Sequence, residues 1–260
     1  MRRRNWREIE DMSWCPAWLR DAMTGYLQTV VDVARPYDVA APILGELIET
    51  SGCTSVLDLA SGGGGPWPGL RARMGSIGAG VSVTLCDIEP SGEAAIRFAR
   101  TPGFEYLTTP VSALDPPRTD HGMWTMFTSL HHFQPADVRR IMSTAQSRGV
   151  MFCAFEATSR SGRGVAVSLL IPLLVLLFMP RVRPRRLLPL LLTYLPPILP
   201  FLIWWDGLAS TLRTYTVAEL EEIARELSDE RYQWKVREIP VPGAPIPVLS
   251  LTGLPTGVTA

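Results

Sequence analysis

Net charge is missing from this sequence: 25 Lys and Arg balance 25 Asp and Glu over 260 residues. A chain with that balance has no basic footprint for a polyanion, so no nucleic-acid partner is expected. Cysteine is scarce as well. Cys15, Cys53, Cys86 and Cys153 are scattered with no C-x-x-C pair, so no metal site is expected. Cys86 and Cys153 sit inside apolar runs and read as buried thiols. The basic start, MRRR, has no apolar h-region behind it. That predicts no secretory leader and a reducing, cytoplasmic compartment. There is no internal repeat, and no G-x-G-x-x-G dinucleotide fingerprint.

Apolar residues, in contrast, make up 47% of the chain, enough for a sizeable core. The length suits one large α/β domain with an insertion. Residues 16–50 repeat apolar positions at three- and four-residue spacing, and the first fifty residues read as mostly helical. Beyond Gly52, short apolar runs alternate with short helical patterns. Strands are predicted in TSVLDLA (54–60) and GVSVTLCDIEP (80–90), a strand and polar loop in FEYLTTPVSALDPP (104–117), a strand running into a loop in GMWTMFTSLHHF (122–133), and a last strand in GVMFCAFEATSRSG (149–162). Helices are predicted at 93–100 and from Pro135 to 147. Such alternation means a parallel sheet with helices on both faces. Near the end, Thr216 and Glu219 form a capping box ahead of a helix over 216–227. Two strands, YQWKVREIPV and IPVLSLTGL, follow and read as an antiparallel pair.

The stretch SVLDLASGGGGPWPGL (55–70) puts four glycines at the end of the first strand. A parallel sheet binds ligands at the carboxyl ends of its strands, and glycine lets a ligand lie against bare backbone. Asp87 closes the next strand, where an acid can take both hydroxyls of a ribose. Pro66 and Pro68, just behind the glycines, each remove a backbone N–H donor, which weakens phosphate cradling. The pattern therefore points to a nucleoside ligand without phosphate.

On these residues the chain resembles the class I S-adenosylmethionine (SAM)-dependent methyltransferases. VLDLASGGGG resembles the family's glycine-rich first motif, LCDIEP its ribose-binding second, PVSALDPP its adenine-side loop and FTSLHHF its fourth, in order over about residues 40–160. The resemblance implies a Rossmann-like, doubly wound, mostly parallel seven-stranded sheet with an antiparallel last strand. It also implies SAM as cofactor. Asp58, Ala60, Gly62 and Gly64 would surround the methionine part. Asp87 would hold the ribose, with Ile88 beside it, Ser112 and Ala113 would flank the adenine, and Ser129 to His131 would line the methionine side. Two positions depart from the family pattern: Ala60 replaces a glycine and Ser112 an aspartate. The expected organisation is an N-terminal helical lid (1–50), a SAM-binding core (51–162), an apolar helical insertion (163–206) and a C-terminal helix and strands completing the core (207–260).

Residues 165–205 carry two apolar halves split by the basic knot RVRPRR (181–186). The first half, about 15 residues or roughly 22 Å of helix, falls short of roughly 30 Å of hydrocarbon. The second contains Pro189, Pro196, Pro197 and Pro200, which break a helix. Two readings follow. The segment lies on the inner face of a membrane, with Arg181, Arg183, Arg185 and Arg186 among anionic headgroups and Trp204 and Trp205 at the interface. Or it is a protein-buried lid over the active site. Either makes the acceptor hydrophobic: a lipid, quinone, isoprenoid or polyketide-like molecule.

Methyl transfer from a sulfonium needs mainly positioning, and a base only where the acceptor loses a proton. His132, Glu156 and Tyr215 are the candidates for that role, and Arg213 could pair with an acidic group on the substrate. Two other readings remain: a non-catalytic SAM- or lipid-binding module on the same fold, and an NAD-dependent enzyme, against which the missing dinucleotide fingerprint speaks.

Overall fold

The apolar run before the glycines forms a strand, β1 (Ser55–Leu59), buried from Val56 onward because strands flank it on both sides and helices cover both faces. In this computed structural model, which describes residues 1–118 and 121–257, six further strands join it. They are β2 (Ser82–Cys86), β3 (Phe104–Tyr106), β4 (Met123–Phe127), β5 (Met151–Glu156), β6 (Tyr232–Ile239) and β7 (Val248–Pro255). The sheet order is β3-β2-β1-β4-β5-β7-β6. Strands β1 to β5 are parallel, and β7 runs antiparallel between β5 and β6. This is the doubly wound sheet with an antiparallel last strand that the resemblance implies. The order in which strands are added to the sheet reverses between β1 and β4, so a crevice opens there at the strand ends.

Helices α1 (Ala17–Ala34), α2 (Ala41–Ser51), α3 (Trp67–Arg73), α4 (Ser76–Ala79), α5 (Gly92–Phe98) and α6 (Pro135–Ser147) come before β5 or between the strands. After β5 come α7 (Gly162–Ser168), α8 (Ile171–Phe178), α9 (Leu187–Tyr194), α10 (Ile198–Arg213) and α11 (Val217–Leu227). Helix α11 carries the predicted capping box, with Thr216 and Glu219 bonding each other's backbone. Pro66 and Pro68 do not prevent α3. They fall at its first turn, where backbone N–H groups have no intrahelical partner to lose.

Residues 1–16 differ from the expectation of a mostly helical start: they hold turns but no helix. Arg2, Arg3, Arg4, Arg7, Glu8, Glu10 and Asp11 leave no apolar period there. The backbone is pinned by other elements instead. Asp206 of α10 accepts from Ile9 N (2.7 Å) and Glu10 N (3.2 Å), and Arg4 N donates to Leu212 O at 3.0 Å.

The two apolar halves fold into four helices. Helix α7 meets the α8 end of the chain at a 41° bend, and α9 meets α10 at 85°, where Pro196 and Pro197 interrupt the ladder. Pro189 and Pro200 sit in the first turns of α9 and α10 and are tolerated there. Helix α10 runs unbroken through residues 206 and 207, where a boundary was expected. Among the described residues no single helix is long and apolar enough to cross a membrane. Val175, Met179, Leu199 and Ile203 pack with Leu19, Met23 and Tyr26 of α1 into a core separate from the two that sandwich the sheet. Residues 119, 120 and 258–260, which belong to the expected core and C-terminal units, lie outside the described residues.

Candidate active site

The register of the parallel strands sets Asp58 of β1 beside Thr125 of β4. Asp58 Oδ1 accepts from Thr125 Oγ1 (2.6 Å) and from Nε1 of Trp67 (3.2 Å), whose ring is fully buried. Asp58 Oδ2 is buried with no hydrogen-bond partner. Burial pushes this carboxyl up to about 7 against the pull of its donors.

The loop that follows turns through left-handed backbone at Ala60 (φ 53°), Gly62 (51°), Gly64 (103°) and Gly65 (57°). Ala60, where the family has glycine, therefore takes a conformation that L-residues adopt at a cost of about 1–2 kcal/mol. Gly64 admits no side chain: a Cβ there would lie 2.2 Å from the Phe98 ring. Both polar groups of Gly62 are tied. Its N–H donates to Asp87 Oδ2 (2.8 Å), and its carbonyl accepts from Tyr106 OH (2.8 Å). Tyr106 also accepts from Ser91 N (2.9 Å) at the start of α5, so loop, β3 and α5 form one rigid corner.

Asp87 spends one hydrogen bond on each oxygen, Oδ2 on Gly62 N and Oδ1 on Glu89 N (2.9 Å), and burial raises its carboxyl. Ile88 beside it is 57% exposed, an apolar face open to a flat ring. Val111 N donates to Asp87 O (2.8 Å) and brings the 111–115 loop against the end of β2. There Ser112 Oγ accepts from Leu114 N (3.2 Å), and Ala113 is buried in the core beneath. Asp58, the glycines, Asp87, Ile88, Ser112 and Ala113 thus lie along the carboxyl ends of neighbouring strands. Helix α1 covers the glycines: Gln28 Nε2 donates to Gly65 O (3.0 Å), and Thr24 packs on Gly62 and Gly63.

The end of β4 is the second half of the site. Thr128 has φ 43°, an unusual value for a β-branched residue, and is held by Tyr37 OH on its Oγ1 and by Ala157 N (3.0 Å). The chain then presents Ser129, whose Oγ is buried without a partner. Glu156, at the end of β5, accepts from Leu130 N (2.7 Å) on Oε1 and holds His131 Nδ1 (2.7 Å) on Oε2. His131 Nε2 faces Glu8 Oε1 at 3.5 Å and is itself buried without a hydrogen bond. His132 Nδ1 bonds Asp11 (3.1 Å), and its Nε2 lies 3.7 Å from Glu8 Oε2. Burial disfavours charge on His131, but Glu156 and Glu8 outweigh it and raise the imidazole to about 10.

Arg213 does not point to an open substrate position. It bonds Glu8 (3.2 Å), Asp11 (2.9 Å) and the carbonyls of His131 (3.2 Å) and His132 (2.8 Å). Tyr215 is likewise committed. Its hydroxyl donates to Phe133 O (2.7 Å), it lies in the core, and burial raises it to about 12, so it is unsuited to accept a proton. Glu156 holds a backbone N–H and an imidazole, which makes it a positioning residue. Glu8 and Asp11 carry the cluster and were not anticipated. They sit in a charged segment more than 115 residues from the histidines, with no local pattern to mark them.

No protein-family model and no curated protein sequence matches the chain. Solved structures do. The plantazolicin methyltransferase in complex with SAH superposes with a TM-score of 0.54 at 9% identity, over 92% of this chain and 95% of that one. The fold is that of the class I methyltransferases. The same methyltransferase, with a monoazolic desmethyl analogue and SAH, gives a TM-score of 0.51 over 91% and 97% of the two chains. An O-methyltransferase from neocarzinostatin biosynthesis, in complex with S-adenosyl-L-homocysteine and 1,4-dihydroxy-2-naphthoic acid, gives 0.49 at 16% identity over 81% of this chain. The chain spans about half of that protein's length, 52%.

On this methyltransferase fold the residues fit a nucleoside carrying an amino-acid arm. The glycine cradle, the bare oxygen of Asp58 and the unpartnered hydroxyl of Ser129 lie at the ends of β1 and β4, on either side of the crevice. Buried polar atoms are rarely left without partners, so the two oxygens beside the cradle are candidates to meet ligand atoms.

Proposed function

We propose that the protein is a SAM-dependent methyltransferase acting on a hydrophobic small molecule or lipid-like acceptor at a membrane surface. The observation that carries this reading is the pair of buried, unpartnered oxygens, Asp58 Oδ2 and Ser129 Oγ, at the ends of adjacent strands beside the glycine cradle. The carboxylate would face the ammonium of the methionine part, and Asp87 would accept from the ribose hydroxyls with its remaining lone pairs. Ile88, Ser112 and Ala113 would bound the adenine. The methyl carbon leaves the sulfonium, which becomes a neutral thioether, and bonds to the acceptor atom. Any proton the acceptor loses would depart toward His132, because His131, raised to about 10, already carries its proton near neutral pH. His132 is the more exposed of the pair, at 25% of its side chain.

The insertion supports a lipophilic acceptor and a place at the inner, cytoplasmic face of a membrane. Leu169, Leu170, Leu173, Leu177, Leu187, Leu191, Leu195 and Phe201 are exposed along α7 to α10. An apolar surface this rich on one segment marks an interaction face. Arg181, Arg183 and Arg185 are exposed beside it, which suits anionic headgroups. Trp205, expected at the interface, is partly taken up by stacking on Trp6 at 5.1 Å.

Incubation with methyl-labelled SAM and a total lipid extract tests the reading. Label in the organic phase is the expected outcome. Saturable SAM binding with no label in lipid, quinone or small-molecule fractions would favour the non-catalytic module instead. In calorimetry Asp87→Ala should weaken SAM about 10- to 100-fold, since hydrogen bonds to a charged group contribute about 1.5–3 kcal/mol. Unchanged affinity would remove Asp87 from the ribose.

A further inference from the structure

The two imidazoles raise a problem of protons. Carboxylate acceptors on His131 Nδ1 (Glu156, 2.7 Å) and His132 Nδ1 (Asp11, 3.1 Å) place the ring N–H at Nδ1 in the neutral tautomers. Nε2 of each ring then faces an oxygen of Glu8, at 3.5 and 3.7 Å. Ring protons can fill that space in the free protein, and a divalent cation that displaced them would meet two imidazole nitrogens and a carboxylate oxygen at once.

We propose that Glu8, His131 and His132 form a three-ligand site for a divalent transition-metal ion, with zinc the best chemical fit. The three ligand atoms lie within 4.8 Å of one another. Tetrahedral zinc with bonds of about 2.0–2.1 Å separates its ligands by about 3.3 Å, so the cluster would close by at most about 1.5 Å on binding. Each imidazole already has the outer support that metal-bound histidines use, a carboxylate on the far nitrogen. Two nitrogens and one carboxylate oxygen suit zinc, whereas magnesium and calcium prefer oxygen alone. Charge agrees as well: the carboxylates of Glu8, Asp11 and Glu156 surround the rings with two guanidiniums, Arg213 on Glu8 and Asp11 and Arg3 on the His131 carbonyl, so one negative charge remains when the imidazoles are neutral. Glu8 and His131 are buried, and three protein ligands leave a fourth position free. The proposal departs from the expectation of no metal site, which considered only cysteine patterns. What the ion does there rests on the methyl-transfer reading: its free position would polarise an acceptor oxygen and ease loss of its proton.

The test is metal binding itself, on tag-free, full-length protein stripped with chelator. Zinc titrated by calorimetry should bind one ion per chain, and cobalt should give the visible bands of a four-coordinate site. His131→Gln and His132→Gln should each weaken zinc at least tenfold, and Glu156→Gln, which only supports His131, about tenfold. Unfolding of each metal-free variant, followed by circular dichroism, separates lost ligation from lost fold, and His132, the more exposed ring, guards against a variant that fails to fold. No one-to-one binding, or equal zinc affinity in a folded His132→Gln protein, would overturn the site. SAM binding of the stripped protein reports separately on the methyl-transfer reading, because the ion is not required to hold SAM.

Discussion

Asp58 is held in a state that a cation would change. Its carboxyl titrates near 7 because burial outweighs the donors Thr125, Ser61 and Trp67, and Asp87, the charged group facing it from β2, adds to the rise. The sign follows from linkage. Below about 7 the free protein holds Asp58 neutral, while a ligand ammonium is stabilised by the ionised form, so binding must expel a proton. SAM affinity should therefore be flat above about pH 7 and fall toward tenfold per unit below it, as calorimetry from about pH 5.5 to 8.5 would show. Asp58→Asn should flatten that slope. A profile without a break near 7 in the unsubstituted protein would separate Asp58 from the ligand. The same raised carboxyl favours the ligand-free fold below the unfolded value of 3.8, an advantage lost as pH rises through about 7. Asp58 and the glycines were legible in the sequence because a strand end followed by glycine is a local pattern. The bond from Thr125, 67 residues away, was not, since only strand register creates it.

At the scale of elements, the sheet was the most legible part. Each strand of the parallel half announces itself as a short apolar run, and β2 stops just before Asp87 and β5 on Glu156, the acids that close their runs. The insertion was less so. Composition marked it as apolar but could not say that Leu195 to Pro197 turn the chain by 85°, or that Val175 and Leu199 face α1 while Leu187 (73% exposed) and Leu195 (79% exposed) face outward. That division makes a clean experiment. Replacing Leu187, Leu191 and Leu195 with Asn removes outward apolar surface without opening the core, so the unfolding midpoint should hold while flotation with anionic vesicles is lost. Arg183→Ser with Arg185→Ser should weaken the same binding about thirtyfold, at about 1 kcal/mol for each charge. Full flotation of the leucine variant would make this face a protein contact or leave it bare.

Over the whole molecule, the cofactor crevice and the insertion meet in α1. One face of that helix lies on the glycine loop through Thr24 and Gln28, and the other shares an apolar core with α8 and α10. The Arg186 guanidinium extends the link, pairing with Asp21 of α1 and Glu93 of α5. A ligand entering beside Gly62 and Gly63 must displace or tighten α1, and α1 cannot shift alone, because Leu19, Met23 and Tyr26 are packed against the insertion. The three parts should respond as one cooperative unit. Hydrogen exchange followed by mass spectrometry should then show SAM slowing exchange in residues 17–34 and across 171–205, as well as at the glycines. The outer strands β6 and β7, which touch neither, should keep their rates. Protection confined to the strand ends would mean that the crevice opens without moving α1, and that lipid contact and cofactor binding are independent. Protection spreading through the insertion would instead predict the reverse coupling, with anionic vesicles altering SAM affinity by the factor that SAM alters vesicle binding.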